Sequence, residues 1–307
     1  MGCLHFGSRD NPQLSYSILD AYYEAGGRFL DTANNYAFWL EGFQGGESEK
    51  LMGRWMTERK NRDDIFVATK AGAKPTYVGG TFDDAEGLSA KVIERAVDES
   101  LQNLQTDRID LYYAHIDDRK TPMEETLEAL DRQVKAGKIR YIACSNHKAW
   151  RVKEAHAISE YRNLTRYCAI QQWDSYLDLN IGENLGIQEF VTDELVDYAR
   201  TKKDFSLITY GPLLWGSYTT VDRDIPPKFR SDSNNRRLAA LYKVANELHV
   251  TPNQVVLAWL MQQDPVRIPI TAVGSVEQLK ENLGALDIQL SNKHIQFLNQ
   301  AGQVPES

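Results

Sequence analysis

Cysteine is scarce in this chain, with three in 307 residues: Cys3, Cys144 and Cys168. They form no closely spaced pair and cannot all pair within one chain, so reduced thiols are the simplest reading and no disulfide framework is expected. Long apolar runs are missing too. No stretch of roughly 20 apolar residues is present, and Met1-Gly2-Cys3-Leu4-His5 lacks the charged and apolar regions of a signal peptide, so no membrane association and a cytoplasmic location are expected. A net charge of −8 argues against a polyanion-binding surface and excludes nucleic acid as an expected partner. His5, His115, His147, His156, His249 and His294 show no zinc spacing, and Asp178, Asn180, Glu183 and Asn184 show no calcium-ligand spacing, so no metal is expected. There is no G-x-G-x-x-G after a strand, no phosphate-binding G-x-x-x-x-G-K-[ST] and no G-x-S-x-G, which disfavours a Rossmann dehydrogenase, an ATPase and an α/β-hydrolase.

What is present is a rhythm. The content is 42% hydrophobic and 25% charged, that of a protein with a sizeable core. Short apolar runs alternate with amphipathic segments, without linker, low-complexity tract or strict repeat, which argues for strands and helices on a parallel sheet. The length of 307 residues exceeds the roughly 250 typical of one α/β barrel only modestly. One domain over 1–307 is therefore the first choice, and two doubly wound domains the alternative. Among helix signals, Gly26-Gly27 stops a helix carrying Leu14, Ile18 and Tyr22. Ser48 is expected to cap another, Ser89 to open a third, and both Thr121-Pro122-Met123-Glu124 and Thr251-Pro252-Asn253-Gln254 read as capping boxes.

The strand ends carry the chemistry. Phe29-Leu30 leads into Asp31 and, just beyond it, Tyr36; Ile65–Thr69 ends at Lys70; Ile109–Ala114 ends at His115. In a barrel of parallel strands these ends share one rim. A tyrosine can protonate a developing alkoxide, but its unperturbed pKa of about 10 makes it a reluctant acid at neutral pH. A neighbouring ammonium is expected to lower that pKa, a carboxylate to hold the ammonium, and an imidazole to orient a carbonyl oxygen. Those roles fall to Tyr36, Lys70, Asp31 and His115.

With those residues in the segments DTANNY, ATK and YYAH, the chain resembles the aldo-keto reductase family along essentially its whole length. The resemblance implies a (β/α)8 barrel with long rim loops and NAD(P)H-dependent reduction of an aldehyde or ketone. Family members usually have a longer first strand and a preceding hairpin closing the barrel floor. Here Met1-Gly2-Cys3-Leu4 leaves little for a strand, so either the start is misplaced or the barrel is thin there.

The same resemblance implies the cofactor contacts. Ser145, Asn146 and Gln171 match positions that bind the nicotinamide carboxamide, with Gln172 the competing choice if the register slips by one. Tyr210, in Tyr210-Gly211-Pro212-Leu213, matches the aromatic ring that stacks on nicotinamide, which also brings in Gly211 and Leu213. Gly274-Ser275 forms a glycine-containing turn before a helix, where free amides can receive phosphate. Ser275, Gln278, Glu281 and Asn282 match contacts to the adenosine portion. NADPH is favoured by the resemblance and NADH stays open, because no Lys or Arg stands at Ala272 or Gln278.

Two long loops flank this rim. Ala37–Gly46 offers Phe38, Trp39 and Phe43 to a substrate or packs on itself, and 214–230 offers Trp215. Together with Trp173 and Tyr218 these suggest an aromatic-walled pocket for a small-molecule carbonyl compound. An alternative of another class is a cofactor-binding regulatory subunit resembling the potassium-channel β-subunits. The tetrad favours catalysis, the substrate is not specified, and nothing in the sequence fixes the oligomeric state.

Overall fold

The structure, a computed structural model, describes residues 1–9, 11–220 and 223–303. Seven strands pair in parallel in chain order: β1 (Phe29–Asp31), β2 (Phe66–Ala71), β3 (Ile109–Ala114), β4 (Ile139–Ser145), β5 (Tyr167–Trp173), β6 (Ser206–Tyr210) and β7 (Arg267–Ile270). The eighth place is filled by three residues without a full strand. Gly2 N donates to Thr271 O at 2.9 Å, Asp31 N to Met1 O at 2.9 Å and Cys3 N to Asp31 O at 2.8 Å, so Met1–Cys3 bridge β7 to β1. The ring is the (β/α)8 barrel, thin at this point.

Ten α-helices are described: α1 (Pro12–Glu24), α2 (Glu47–Arg59), α3 (Ala90–Leu104), α4 (Met123–Lys135), α5 (Ala149–Arg162), α6 (Asp193–Arg200), α7 (Asp232–Leu248), α8 (Pro252–Met261), α9 (Val276–Leu283) and α10 (Asn292–Gln300). The helix α3 illustrates why they form where they do. Ile93, Ala96, Val97, Ser100 and Leu104 recur at helical spacing and are the residues buried against the sheet. No described helix is long and apolar enough to cross a membrane.

Some expected helix starts are built differently. Ser48 lies inside α2, whose N-cap is Gly46, and its hydroxyl bonds Cys3 O at 2.7 Å and accepts from Thr32 Oγ1 at 2.7 Å. Thr121 makes no capping box, because its hydroxyl is drawn to Asp118 Oδ2 at 2.7 Å and Pro122 becomes the cap. Ser89 caps α3 by position only. The Thr251–Gln254 box forms fully.

Two cores follow from the strands' double burial. Outside the barrel, apolar helix faces pack on the sheet. Inside, Ala68, Leu111, Tyr113, Ala143, Ala169, Ile208 and Ile270 fill the centre. Phe29 stacks on Phe66 at 5.2 Å, and Phe66 on Tyr141 at 6.4 Å, at the opposite end from the strand termini that carry the ionisable groups. The interior alanines leave the room that long polar side chains occupy above them.

Several acids are buried outside that centre, Glu49 most completely. Glu49 of α2 is fully buried, accepting from Thr69 Oγ1 at 2.7 Å and Asn103 Nδ2 at 3.0 Å. Burial raises its pKa above the ordinary 4.5, against the pull of those donors. The folded protein thus holds this proton more tightly than the unfolded chain, and the group's contribution to stability declines as pH rises from about 4.5 through its folded pKa. The stability advantage of the native chain over Glu49→Gln is therefore expected to be larger at pH 5 than at pH 8 in urea denaturation; an advantage that grows toward pH 8 contradicts this.

Candidate active site

The site is built upward from Lys70 on β2, which is fully buried. Period two turns Ala68 and Lys70 inward and sends Thr69 outward to Glu49. A buried ammonium needs three acceptors for its three N–H groups. Lys70 Nζ has three: Asp31 Oδ1 in a short ion pair, Thr32 O at 2.8 Å and Tyr36 Oη at 2.9 Å. Since Tyr36 Oη accepts from Lys70, its own proton is free to point elsewhere.

Asp31 is held on its other side. Gln171 Nε2 donates to Asp31 Oδ2 at 2.8 Å, across 140 residues of chain. Gln172 points the opposite way and donates to His147 O at 3.0 Å. Of the two glutamines, then, Gln171 faces the site, with its amide committed to the carboxylate.

The His115 ring lies 6.2 Å from that of Tyr36, at 70°. Its buried Nδ1 has no partner, and neither ring nitrogen makes a hydrogen bond among the described residues. Burial, aided by the charge of Lys70, holds its pKa well below the usual 6.5, so the imidazole is neutral at physiological pH. Lys70 itself is raised: burial opposes its charge, but Asp31 and Tyr36 together outweigh burial. Tyr36 departs from the sequence argument. Its pKa is raised, because burial exceeds the opposing pull of Lys70.

The remaining strand ends interlock around Asn146, whose backbone is left-handed at φ +58°. Its amide donates to His115 O at 3.0 Å and Ser145 Oγ at 3.1 Å, and its Oδ1 accepts from Tyr210 Oη at 2.8 Å and Glu189 N at 3.2 Å. Ser145 Oγ in turn donates to Gln171 O at 2.7 Å. Tyr210 stacks on Trp173 with centroids 6.5 Å apart. Gly211 must be glycine, since its φ is +68° and an added Cβ would stand 2.9 Å from Trp173 Nε1. Leu213 begins the next tight turn, and Trp215, 58% exposed, sets its edge on Trp173 at 5.6 Å.

At the start of α9, Ser275 Oγ accepts from Gln278 N at 3.2 Å and Gln278 Oε1 accepts from Gly274 N at 2.8 Å. Glu281 is turned toward α8, accepting from Thr251 Oγ1 at 2.7 Å, and Asn282 is half-buried on the same helix. Among the aromatics, Trp39 meets Tyr36 edge-on at 6.4 Å, and Phe38 packs on Trp39 and Phe82. Phe43 lines a groove with Phe38. Trp173 and Tyr218, expected as pocket walls, are 1% and 3% exposed and belong to a further apolar cluster that includes Phe229 and the buried faces of α7 and α8.

One contributor had no signal in the sequence. Glu86 Oε1 accepts from Asn34 Nδ2 at 2.8 Å and Gly72 N at 3.2 Å, while Oε2 takes Arg95 at 2.6 Å. It fastens the Tyr36 turn to the chain just after Lys70. It stands in an acidic stretch, DDAEG, where nothing distinguishes it from its neighbours.

A phenol on a lysine on a carboxylate, beside a neutral imidazole, is equipped to hand one proton to an oxygen in a water-poor site. The sequence matches the Aldo/keto reductase family model over residues 1–303. It is 30% identical to a norsolorinic acid reductase of Emericella nidulans, over 96% of this chain and 75% of that protein. It is also 30% identical to an aryl-alcohol dehydrogenase [NADP(+)] of Phanerodontia chrysosporium, over 97% and 80% respectively. The solved structure of a thermostable aldo-keto reductase in complex with the inhibitor epalrestat superposes with a TM-score of 0.74 at 25% identity, covering 98% of this chain and 93% of that one. The chain belongs to the aldo/keto reductase family and is an NAD(P)-dependent oxidoreductase.

Removing one member of the buried pair leaves the other charge uncompensated, which costs about 3–5 kcal/mol. Lys70→Met is expected to lose that much in urea denaturation, and adding Asp31→Asn should recover part of it. Strictly additive losses would show that the two charges are not coupled.

Proposed function

We propose that this enzyme reduces an aldehyde or ketone to an alcohol, with Tyr36 as the proton donor. The observation that carries the reading is the Tyr36 Oη to Lys70 Nζ contact of 2.9 Å, anchored by Asp31 and facing His115. A bound dihydronicotinamide supplies the hydride. The chain supplies the rest: Tyr36 gives its free O–H proton to the carbonyl oxygen as charge develops there, and Lys70 steadies the phenolate left behind. Neutral His115 presents an N–H to the same oxygen and so fixes which face of the carbonyl is turned toward the rim.

The rim residues are proposed to hold a dinucleotide. Ser145, Asn146 and Gln171 are the proposed carboxamide contacts, and Tyr210 is the proposed stacking ring. The turn Gly211 to Leu213 and the amides at Gly274-Ser275 would receive the phosphates, and Gln278, Glu281 and Asn282 the adenosine. In support, among the described residues Gly274 N is met by the side-chain end of Gln278, and Gly274 carries no Cβ to block an approaching phosphate. NADPH is the proposed partner; a similar enzyme is named for NADP(+), although Ala272 and Gln278 offer no cation. Initial rates measured with each cofactor decide this, NADPH being expected to give the higher kcat/KM. A cytoplasmic setting accords with three free cysteines.

Tyr36→Phe is expected to bind NADPH within about twofold of the native enzyme by fluorescence titration, and to lose roughly 10²–10⁴ in kcat. Native-like turnover in that variant removes Tyr36 from the mechanism. The pH profile is a second check. With Tyr36 raised above 10 and His115 neutral, kcat for reduction should be level from about pH 7 to pH 9 and fall only as the phenol ionises. An inflection near pH 7 that disappears in His115→Gln would mean that the imidazole titrates during turnover.

A further inference from the structure

We propose that Glu86 is a positioning residue for the carbonyl reduction: its carboxylate fixes where the Tyr36 turn sits against Lys70, although it touches neither side chain. The inference rests on the reading of Tyr36 as proton donor and adds to it a residue outside the four at the strand ends.

The need for such a residue follows from how the two partners are held. Lys70 lies within β2, which pairs with β1 and β3 on its two sides, so the strand register sets its place. Tyr36 has no strand. It stands in the turn beyond β1, where its own N–H reaches only Ala33 O at 3.4 Å, near the limit of a hydrogen bond. The 2.9 Å between Tyr36 Oη and Lys70 Nζ therefore depends on what fastens that turn.

Two bonds from Asn34 do so. Its backbone N–H donates to Lys70 O at 3.0 Å, a bond that most residues could supply, and its Nδ2 donates to Glu86 Oε1 at 2.8 Å. Asn34 is 3% exposed and its Oδ1 has no partner, so the bond to Glu86 is what orients this side chain. The same Glu86 oxygen accepts from Gly72 N at 3.2 Å, just past Lys70, so a single atom joins the turn to the strand. Arg95 holds the other oxygen at 2.6 Å, and the Glu86 side chain is 3% exposed.

Glu86 is itself anchored. Its N–H donates to Lys74 O at 2.8 Å, and Gly87 N to Gly72 O at 3.1 Å. Leu88 N donates to Asp118 Oδ2 at 2.8 Å, in the loop that follows His115. Glycine at 87 permits that approach, since its φ is +73° and an added Cβ would stand 2.7 Å from Asp118 Oδ2. Residues 86–88 thus tie together the ends of β1, β2 and β3, from which Tyr36, Lys70 and His115 come. A misplacement of about 1 Å at a reacting group can cost on the order of 10²-fold in rate.

The test uses Glu86→Ala, Glu86→Gln and Asn34→Ala, with benzaldehyde and methylglyoxal as probes. Glu86→Ala and Asn34→Ala should each lower kcat about tenfold or more, while KM and the NADPH Kd from fluorescence titration stay within about twofold, because only the transition state uses the proton. The double variant should lose no more than the worse single one. Glu86→Gln keeps an acceptor oxygen for Asn34 and Gly72 and should retain kcat within about threefold. In a Tyr36→Phe background, Glu86→Ala should cost nothing further. Native kcat in both alanine variants, additive losses, or KM and Kd rising in step with the fall in kcat overturn the positioning role. If Glu86→Ala does not fold, Asn34→Ala, which keeps its backbone bond to Lys70 O, carries the same expectation alone. Should Tyr36→Phe lose turnover while the alanine variants do not, the donor reading stands and the role of Glu86 falls. Native turnover in Tyr36→Phe, or no turnover of either probe by the native enzyme with NADPH or NADH, removes the donor reading and the positioning role together.

Discussion

A lysine ammonium with no access to water sets the terms for everything near the rim. Lys70 can remain charged inside the barrel only because each of its three N–H groups has an acceptor, and one of the three is Tyr36, the proposed proton donor. The need to satisfy a buried cation and the need to position an acid are thus met by one contact. That contact in turn requires the Asp31 carboxylate to stay oriented, which Gln171 secures from the far side of the barrel. Loss of any link would leave a charge or a polar group stranded in a low-dielectric interior, where the penalty is large.

The barrel explains why such a cluster is affordable. Ala68, Ala143 and Ala169 keep the centre narrow-walled, so Tyr113 and the Lys70 stem fit above them and the ammonium lies 5.3 Å from the Tyr113 ring. A larger residue at those alanines would push the lysine toward the mouth and lengthen its reach to Asp31. At the seam, three residues of backbone pairing between β7 and β1 hold Asp31 in register, since the amide and carbonyl of Asp31 are the groups that Met1 and Cys3 bind. The thinnest part of the barrel is therefore closed at the residue that anchors the site.

The strand ends were legible because each run of apolar residues stops at a group with chemistry of its own, and parallel strands bring such stops together. The choice between Gln171 and Gln172 was not legible. Both are buried, at 3% and 2% exposure, so the alternation that usually marks the inner face of a strand is absent. Ser48 and Thr121 looked like caps because local spacing favours them, and each was instead claimed by a partner outside its own helix turn: Cys3 O and Thr32 for the first, Asp118 for the second. Glu86 meets Asn34 from 52 positions away, and such a pairing exists only once the chain has folded. Trp173 and Tyr218 read as pocket walls for the same reason: an aromatic near a rim loop carries no mark of whether it faces in or out.

The direction of the Tyr36 shift refines what the lysine is for. A lysine placed to ionise the phenol would have to outweigh burial, and here burial prevails, so the resting tyrosine keeps its proton. The proposed reduction would consume that proton, and an acid must hold it until the oxygen is ready to take it. In the proposed mechanism the ammonium acts late, stabilising the phenolate at the moment the proton leaves, when the negative charge it faces is largest. A group that matters more in the transition state than in the ground state lowers the barrier without committing the site beforehand. The neutral His115 fits the same proposal: the low pKa imposed by burial and by Lys70 spares the site a second cation, so that in the proposed mechanism the imidazole orients the oxygen without competing with Tyr36 to protonate it.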